Sequence, residues 1–232
     1  MLGVLTLDTA FPRIAGDIGA AETFPFPVLH AVVRGAGVRA VVHEADARLV
    51  PAFVAAAQGL ASDGCIAITT TCGFLVRWQD EIARAVDVPV LTSALVMLPL
   101  VARCVGTARP VGVVTYSAQS LTAEVLAAAG ADPVTPVAGV EPHGYFATTI
   151  RDGAATLDRA RMAADVVSAA QALAAARPDI GAIVLECANM PPYRDAVAGA
   201  LRIPVFDMVD LVSWFYAGAA RRAPAHVDRD LW

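Results

Sequence analysis

The sequence predicts an α/β protein of two pseudo-symmetric domains, each a mostly parallel sheet flanked by helices. Short apolar runs alternate with helix-like segments along the chain, the pattern typical of parallel sheets covered on both faces. A segment also recurs: Pro89 follows Cys72 by 17 residues, Pro204 follows Cys187 by 17, and the two stretches align without a gap. Each half of the chain therefore carries one cysteine at an equivalent point.

A second pair of matching segments lies upstream of the cysteines. Residues 3–8 read GVLTLD and align with residues 112–117, which read GVVTYS. The two alignments differ in offset by a few residues, so one half carries a small insertion. We predict a first domain of residues 1–95 plus 208–232 and a second of residues 96–207, with the active site in the cleft between them.

The first half opens with a buried strand, a short apolar run containing β-branched residues. A long loop over residues 10–26, rich in Pro and Gly, follows, and loops of this length after a strand are commonly functional. The further predicted elements are a helix at 27–34, a strand at 40–43, a helix at 49–61, a strand at 65–69, a helix at 75–86, a strand at 88–91 and a helix at 95–104.

The second half repeats this alternation. Gly130 and Pro178 mark helix ends, and Pro191 suits the first turn of a helix. The predicted elements are a strand at 111–115, a helix at 118–129, a strand at 133–137, a loop at 139–153, a helix at 154–176, a strand at 182–185, a helix from 191, a strand at 204–206, a helix at 211–220 and a loose tail at 221–232.

Composition narrows the class of function. With 57% hydrophobic and 17% charged residues the chain is globular, and a net charge of −5 without basic blocks argues against a nucleic-acid partner. The longest nearly apolar run, residues 88–102, is too short for a bilayer span, so we expect no membrane partner. No basic leader precedes the first strand, which predicts a cytoplasmic protein. Homo-oligomer formation is left open.

The basic residues are seventeen arginines and no lysine. This excludes a lysine Schiff base to pyridoxal phosphate, a phosphate-loop lysine and a lysine general base. The four histidines are scattered without metal-ligand spacing, so we predict neither a metal site nor a cofactor.

Two of the four cysteines are candidates for catalysis. Cys65 and Cys104 lie in apolar surroundings typical of structural thiols. Cys72 and Cys187 each follow a strand, precede a helix and lie in a turn of small or polar residues. Because the carboxyl ends of parallel strands form ligand sites, both thiols should face one cleft. We expect turn amides and helix N-termini to lower the pKa of both thiols.

The neighbours of these thiols are candidates for substrate binding. Asp8 and Ser117 occupy matching positions, and the hydroxyls of Tyr116-Ser117 can hold a carboxylate. Gly73 allows close approach of backbone donors to an anion. If the strand pleat continues, Glu186 faces away from Cys187 and stays outside the site. His143, in a loop, is a weaker candidate.

The motifs TTCGF at residues 70–74, ECANM at 186–190 and GVLTLDT at 3–9 resemble the aspartate/glutamate/hydantoin racemase superfamily over essentially the whole chain. The resemblance implies cofactor-independent proton transfer next to a carboxylate, with Cys72 and Cys187 as the two acid/bases. The substrate shell that it implies, together with the residues chosen above, comprises Asp8, Thr9, Thr71, Gly73, Phe74, Tyr116, Ser117, Ala188 and Asn189. Glutamate racemases typically have Asn-Thr and Thr-His after the cysteines, so the substrate is left open.

The leading hypothesis is a racemase or epimerase of a small carboxylate such as an amino acid. Two groups of one type suit a reaction whose two directions are equivalent. Three alternatives stay open: a maleate-type cis-trans isomerase, an arylmalonate-type decarboxylase that uses a cysteine in the same cleft, and a non-catalytic anion-binding protein.

Overall fold

Two four-stranded parallel sheets form the framework of the molecule. The computed structural model describes residues 1–106 and 108–221. The first sheet has the order β2-β1-β3-β4, and the second repeats that order as β6-β5-β7-β8. The strands are β1 (Leu2–Leu7), β2 (Val28–Val33), β3 (Ala67–Thr70), β4 (Val90–Leu91), β5 (Val111–Thr115), β6 (Val137–Gly139), β7 (Ala182–Leu185) and β8 (Val205–Phe206). The predicted two-part α/β architecture is confirmed.

Helices cover the faces of both sheets, as expected for parallel strands. They are α1 (Val50–Ser62), α2 (Gln79–Arg84), α3 (Leu98–Val105), α4 (Ala123–Ala128), α5 (Tyr145–Asp152), α6 (Arg159–Ala176), α7 (Arg194–Leu201) and α8 (Met208–Ala220). Helix α8 packs against β3 of the first sheet, although it follows the second in sequence. The proposed division of the chain at residues 95 and 207 stays a prediction, and its residues 222–232 lie outside the described part.

Two predicted elements of the first half are wrong. The segment predicted as a helix at 27–34 is strand β2, whose six residues all pair with β1, from Leu2 opposite Val28 to Leu7 opposite Val33. Pairing with a neighbouring strand outweighs a weak local helix pattern here. The segment predicted as a strand at 40–43 is instead a turn of π-helix, Arg39–His43.

The second half departs from the prediction in two places: the strand predicted at 133–137 is displaced to Val137–Gly139, and the loop predicted after it contains a helix. The segment predicted as loop at 139–153 contains α5, which Gly153 ends in the left-handed conformation. The long alanine-rich helix therefore starts only at Arg159, where the side chain of Asp158 accepts hydrogen bonds from the N–H groups of residues 160 and 161.

Between β3 and α2 the chain forms a 3₁₀ helix, Gly73–Trp78, and between β7 and α7 a shorter one, Pro191–Tyr193. Both lie at the carboxyl ends of equivalent strands and replace the start of the predicted helix. In each half a short, tight turn therefore follows the end of the strand. Cys72 directly precedes the first of these 3₁₀ helices, and Cys187 lies a few residues before the second.

Candidate active site

Cys72 lies in a tight turn at the end of β3. Its side chain is buried, and its extended backbone caps the 3₁₀ helix that begins at Gly73. The hydroxyl of Thr70 accepts from the N–H of Cys72 at 3.3 Å and donates to the carbonyl of Thr92 at 2.7 Å. The N–H groups of Phe74 and Leu75 point toward the sulfur. The turn is therefore held in place by buried hydrogen bonds on both sides of the thiol.

Cys187 lies at the equivalent point of the second half, after β7. It is also buried, and its Sγ–H donates to Oδ1 of Asn189 at 3.6 Å, within the range of a weak sulfur hydrogen bond. The backbone N–H of Asn189 also faces the sulfur. Each thiol is thus held by groups two or three residues further along the chain.

The two cysteines line one narrow pocket, as the internal repeat predicts. Six of the other predicted site residues line the same pocket: Thr9, Thr71, Gly73, Phe74, Tyr116 and Asn189. Its remaining wall comes from Leu7, Phe11, Arg13, Val38, Val42, Ile150 and Glu186. Most of these residues are apolar, so a bound ligand would lose most of its water and meet a few polar groups.

Three predicted residues lie away from this pocket. Asp8 is exposed, and its carboxylate accepts from Arg34 at 3.3 Å and from the N–H of Gly35 at 3.0 Å. Ser117 donates to the hydroxyl of Ser120 at 3.1 Å instead of facing the cleft. Ala188 contributes only its carbonyl, which accepts from the N–H of Ile18 at 3.1 Å. His143 is exposed and also lies outside the pocket lining.

The expectation that Glu186 faces away from the site, which was based on the strand pleat, is wrong. Strand β7 ends at Leu185, so the alternation does not extend to Glu186, whose side chain turns into the pocket. The carboxyl is fully buried, and Oε2 accepts from the hydroxyl of Thr115 at 2.7 Å and from the N–H of Tyr116 at 3.4 Å. Oε1 has no hydrogen-bond partner among the residues that the structure describes. An ionisable group that the sequence placed outside therefore lies beside both thiols.

The expected lowering of the thiol pKa values is wrong. Burial raises the pKa of Cys72 to about 12, and the charge of Glu186 adds to the effect. Burial likewise raises the pKa of Cys187 well above its usual range, again with Glu186 as the second cause. The N–H groups near the sulfurs lower both values, but by less than burial raises them. A thiolate in this pocket needs a further source of stabilisation.

The loop of residues 10–26 crosses to the second cysteine. Asp17 is buried and accepts from Arg13 at 2.8 Å, from the N–H of Gly19 at 2.7 Å and from Nδ2 of Asn189 at 2.6 Å. Donation of Nδ2 to Asp17 fixes the amide of Asn189 so that its oxygen faces Cys187. The guanidinium of Arg13 also donates to Thr9 at 3.1 Å and lies 4.7 Å from the ring centre of Phe11. The sequence pattern did not identify Arg13 and Asp17 as site residues. The signal that it offered for them was a spacing of four residues between two opposite charges, which allows an ion pair.

The described parts of the chain hold no helix that is both long and apolar enough to cross a lipid bilayer. Within residues 1–106 and 108–221, no three side chains of His, Cys, Asp or Glu converge in a metal-ligand arrangement.

Curated relatives align over nearly the whole of this chain. A dimethylsulfoniopropionate lyase of Emiliania huxleyi is 29% identical over 98% of this chain and 47% of its own length. A second from the same alga is 30% identical over 93% of this chain and 66% of its own. One from Durusdinium is 27% identical over 94% and 74%. The chain thus spans about half to three quarters of the length of these relatives.

Solved structures share the fold at lower identity. The Gly74Cys mutant of arylmalonate decarboxylase, in its sulfate-associated form, superposes with a TM-score of 0.64 at 18% identity, covering 97% of both chains. A glutamate racemase of Bacillus anthracis gives 0.58 at 15% identity, covering 94% of this chain and 82% of its own. The family model for Asp/Glu/Hydantoin racemase matches residues 13–215. This chain therefore belongs to the Asp/Glu/Hydantoin racemase family.

Proposed function

We propose that this protein removes a proton from a carbon next to a carboxylate, without a cofactor, using a cysteine thiolate as the base. The observation that carries the proposal is the position of Cys72 and Cys187, which come from equivalent strand ends and line one narrow pocket. An α-proton is weakly acidic, and its removal needs a base close to the carbon and water excluded from the site. Burial of the thiols excludes water, and either thiol can act as the base once it has lost its proton.

We further propose that proton removal leads to β-elimination. The curated relatives that align over 93–98% of this chain at 27–30% identity are named dimethylsulfoniopropionate lyases. In such a substrate the β-carbon carries a dimethylsulfonium group. The electrons of the broken C–H bond form the C=C bond of acrylate, and the electrons of the C–S bond leave with dimethyl sulfide. The proton stays on the cysteine, and the neutral leaving group needs no acid.

The pocket lining suits a substrate with one anionic and one onium end. The aromatic rings of Phe11, Phe74 and Tyr116 line the pocket, and ring faces attract onium cations. Arg13 already lies over the ring of Phe11 and Arg77 over that of Phe74, so Tyr116 is the ring that we assign to an onium group. Arg13 supplies positive charge at the pocket wall, where a carboxylate can pair with it. Its present partners, Asp17 and Thr9, hold it in position.

Racemisation or epimerisation of a small carboxylate is the second candidate. It shares the first step, and the presence of a thiol from each half in the same pocket favours it, since one can remove the proton while the other supplies a new one. Elimination uses only one of the two thiols. The arylmalonate-type reaction and simple anion binding make less use of the paired thiols, whereas a maleate-type isomerisation stays open.

The test presents dimethylsulfoniopropionate, single enantiomers of amino acids, maleate and phenylmalonate separately to the protein in deuterated water. Release of dimethyl sulfide with acrylate, measured by headspace gas chromatography and NMR, supports the lyase. Inversion with α-deuterium supports the racemase, whereas fumarate or loss of carbon dioxide supports the isomerase or the decarboxylase. Cys104→Ser is the matched control for serine variants of Cys72 and Cys187, because this cysteine, contrary to the expectation of apolar surroundings, is exposed and lies away from the pocket. If the protein converts none of these compounds, all four catalytic hypotheses are contradicted.

A further inference from the structure

Of the two carboxyl oxygens of Glu186, one accepts hydrogen bonds and the other has no hydrogen-bond partner among the described residues. Oε2 accepts from Thr115 and from the N–H of Tyr116. Oε1 is buried without a hydrogen-bond partner among the described residues, and it lies against Gly73, the residue after Cys72. A Cβ at position 73 would overlap with Oε1, so the absence of a side chain there makes room for the carboxyl. A buried carboxyl oxygen left unpaired is rare and calls for a partner.

The pocket is poorly equipped to hold more than one negative charge. Arg77 is the cation that acts on both Cys72 and Glu186, but it is half-buried and donates to the carbonyls of Val41 at 3.2 Å and Ser120 at 2.8 Å. Cys187 faces Asp17 as well as Glu186, so its surroundings are more negative still. Buried like charges disfavour one another strongly. A thiolate beside an ionised Glu186 is therefore the least favourable arrangement.

We propose that Glu186 accepts the proton of Cys72 when the thiolate forms, so that one negative charge moves between the carboxyl and the sulfur. No hydrogen bond joins the Cys72 thiol to Oε1 in the structure, so the thiol must turn toward the carboxyl or one water must relay the proton. In either case the S–H bond breaks, an O–H bond forms at Oε1, and the net charge of the pocket does not change. The inference rests on the proposed function, in which a cysteine thiolate serves as the base. It assigns this part to Cys72 and names Glu186 as the group that takes the proton of the thiol. Asp8, the other carboxylate among the candidate residues, is exposed and paired with Arg34.

The protonation behaviour of Glu186 fits this role. Burial raises the pKa of Glu186 to about 7, while the hydrogen bonds from Thr115 and Tyr116 and the charge of Arg77 oppose the rise. A carboxyl with a value near neutrality can both take and return a proton under ordinary conditions. The two groups then titrate as a coupled pair, and the first ionisation belongs to the pair and not to either residue.

This coupling predicts a distinctive dependence of thiol reactivity on pH. In the wild type the thiolate fraction of Cys72 rises with the first ionisation, near pH 7, and then stays flat, because the charge is shared at a fixed ratio. In Glu186→Gln the thiol loses its proton only to solvent. Its thiolate fraction should then rise about tenfold per pH unit through pH 7 and beyond, without a plateau.

The experiment measures the rate of alkylation of Cys72 by iodoacetamide between pH 5.5 and 10, using tandem mass spectrometry and no substrate. The exposed Cys104 in the same sample confirms that the reagent is active at each pH. A plateau above about pH 7 in the wild type that is lost in Glu186→Gln supports the proposal. A continuous tenfold rise per unit in both proteins overturns it.

Thr115→Val provides a second variant that keeps the carboxyl. Loss of the hydrogen bond to Oε2 removes a contact that favours the ionised form, so the plateau should begin roughly one to two pH units higher. An unchanged onset overturns the assignment of the plateau to Glu186. Because alkylation needs no turnover, a plateau without any catalysis refutes only the proposed function, and catalysis without a plateau refutes only this inference.

Discussion

The link from Asp17 to Asn189 gives the sharpest test of how the first-half loop supports the second thiol. The Asp17 carboxylate pairs with Arg13 at 2.8 Å and accepts from Asn189 at 2.6 Å. The exposed fractions of the two charged side chains are 5% for Asp17 and 15% for Arg13. Asp17→Ala leaves a nearly buried guanidinium without its carboxylate and frees the amide of Asn189 to rotate away from Cys187.

The expected cost follows from these contacts. Removal of one partner from a buried ion pair lowers the free energy of unfolding by roughly 3–5 kcal/mol, and partial access of water to Arg13 favours the lower end, about 3 kcal/mol. For a chain of this size each kcal/mol corresponds to about 2–4 °C in Tm, so Tm should fall by about 6–12 °C. Turnover should fall as well, because the sulfur of Cys187 loses its fixed hydrogen-bond partner.

Thermal and urea unfolding, followed by circular dichroism, measure this effect. The matched control is Asp80→Ala, which removes an ion pair of the same 2.8 Å length and the same four-residue spacing, but with both side chains 73% exposed. Exposed pairs of this kind contribute little, so Tm should change by no more than a few degrees. Equal shifts in the two variants would refute the reasoning that Asp17 fastens the loop to the second half.

Two further predictions concern Glu186 and the glycine beside it. Because the pKa of Glu186 is raised to about 7 in the folded protein, its contribution to stability is complete below about pH 4.5 and is lost as pH rises through 7, about 3 kcal/mol in all. Urea unfolding of Glu186→Gln at pH 5 and pH 8 should lack this loss. The raised pKa of Asp207 and the lowered pKa of His30 act on stability in opposite directions, are common to both proteins and cancel in the comparison. Gly73→Ala should destabilise the fold by about 1–3 kcal/mol and reduce turnover, because its Cβ would lie 2.7 Å from the carbonyl of Glu186. Gly199→Ala, in α7 with open space around it, should instead stabilise by about 0.5–1 kcal/mol, and the same Tm measurement on both separates the two cases.

The sequence is most informative where the chain repeats itself. The match between the two cysteine segments predicts equivalent strand ends, and the structure confirms identical strand orders with Cys72 and Cys187 along one pocket. Apolar runs bounded by turn residues likewise identify seven of the eight strands at least in part. These features are local or repeated, so a single chain displays them directly.

What the sequence hides depends on contacts between distant residues. The local pattern of β2 predicts a helix, whereas the segment is a strand because it pairs with β1 along its whole length. Asp17 and Asn189 meet across 172 residues, and neither position alone indicates the other. The inward turn of Glu186 depends on where β7 ends, a boundary that pattern reasoning locates only to within a few residues.

The measurement that tests the central claim most directly is the release of deuterium into water from α-deuterated substrates. Elimination, racemisation and exchange all begin by transfer of this deuterium to a base, whereas decarboxylation and cis-trans isomerisation do not. The account predicts release by the wild type, loss of conversion in at least one of Cys72→Ser and Cys187→Ser, and no release by the double variant. Product formed without any release of deuterium into water, or release by the double variant at the wild-type rate, would contradict a cysteine base in this pocket.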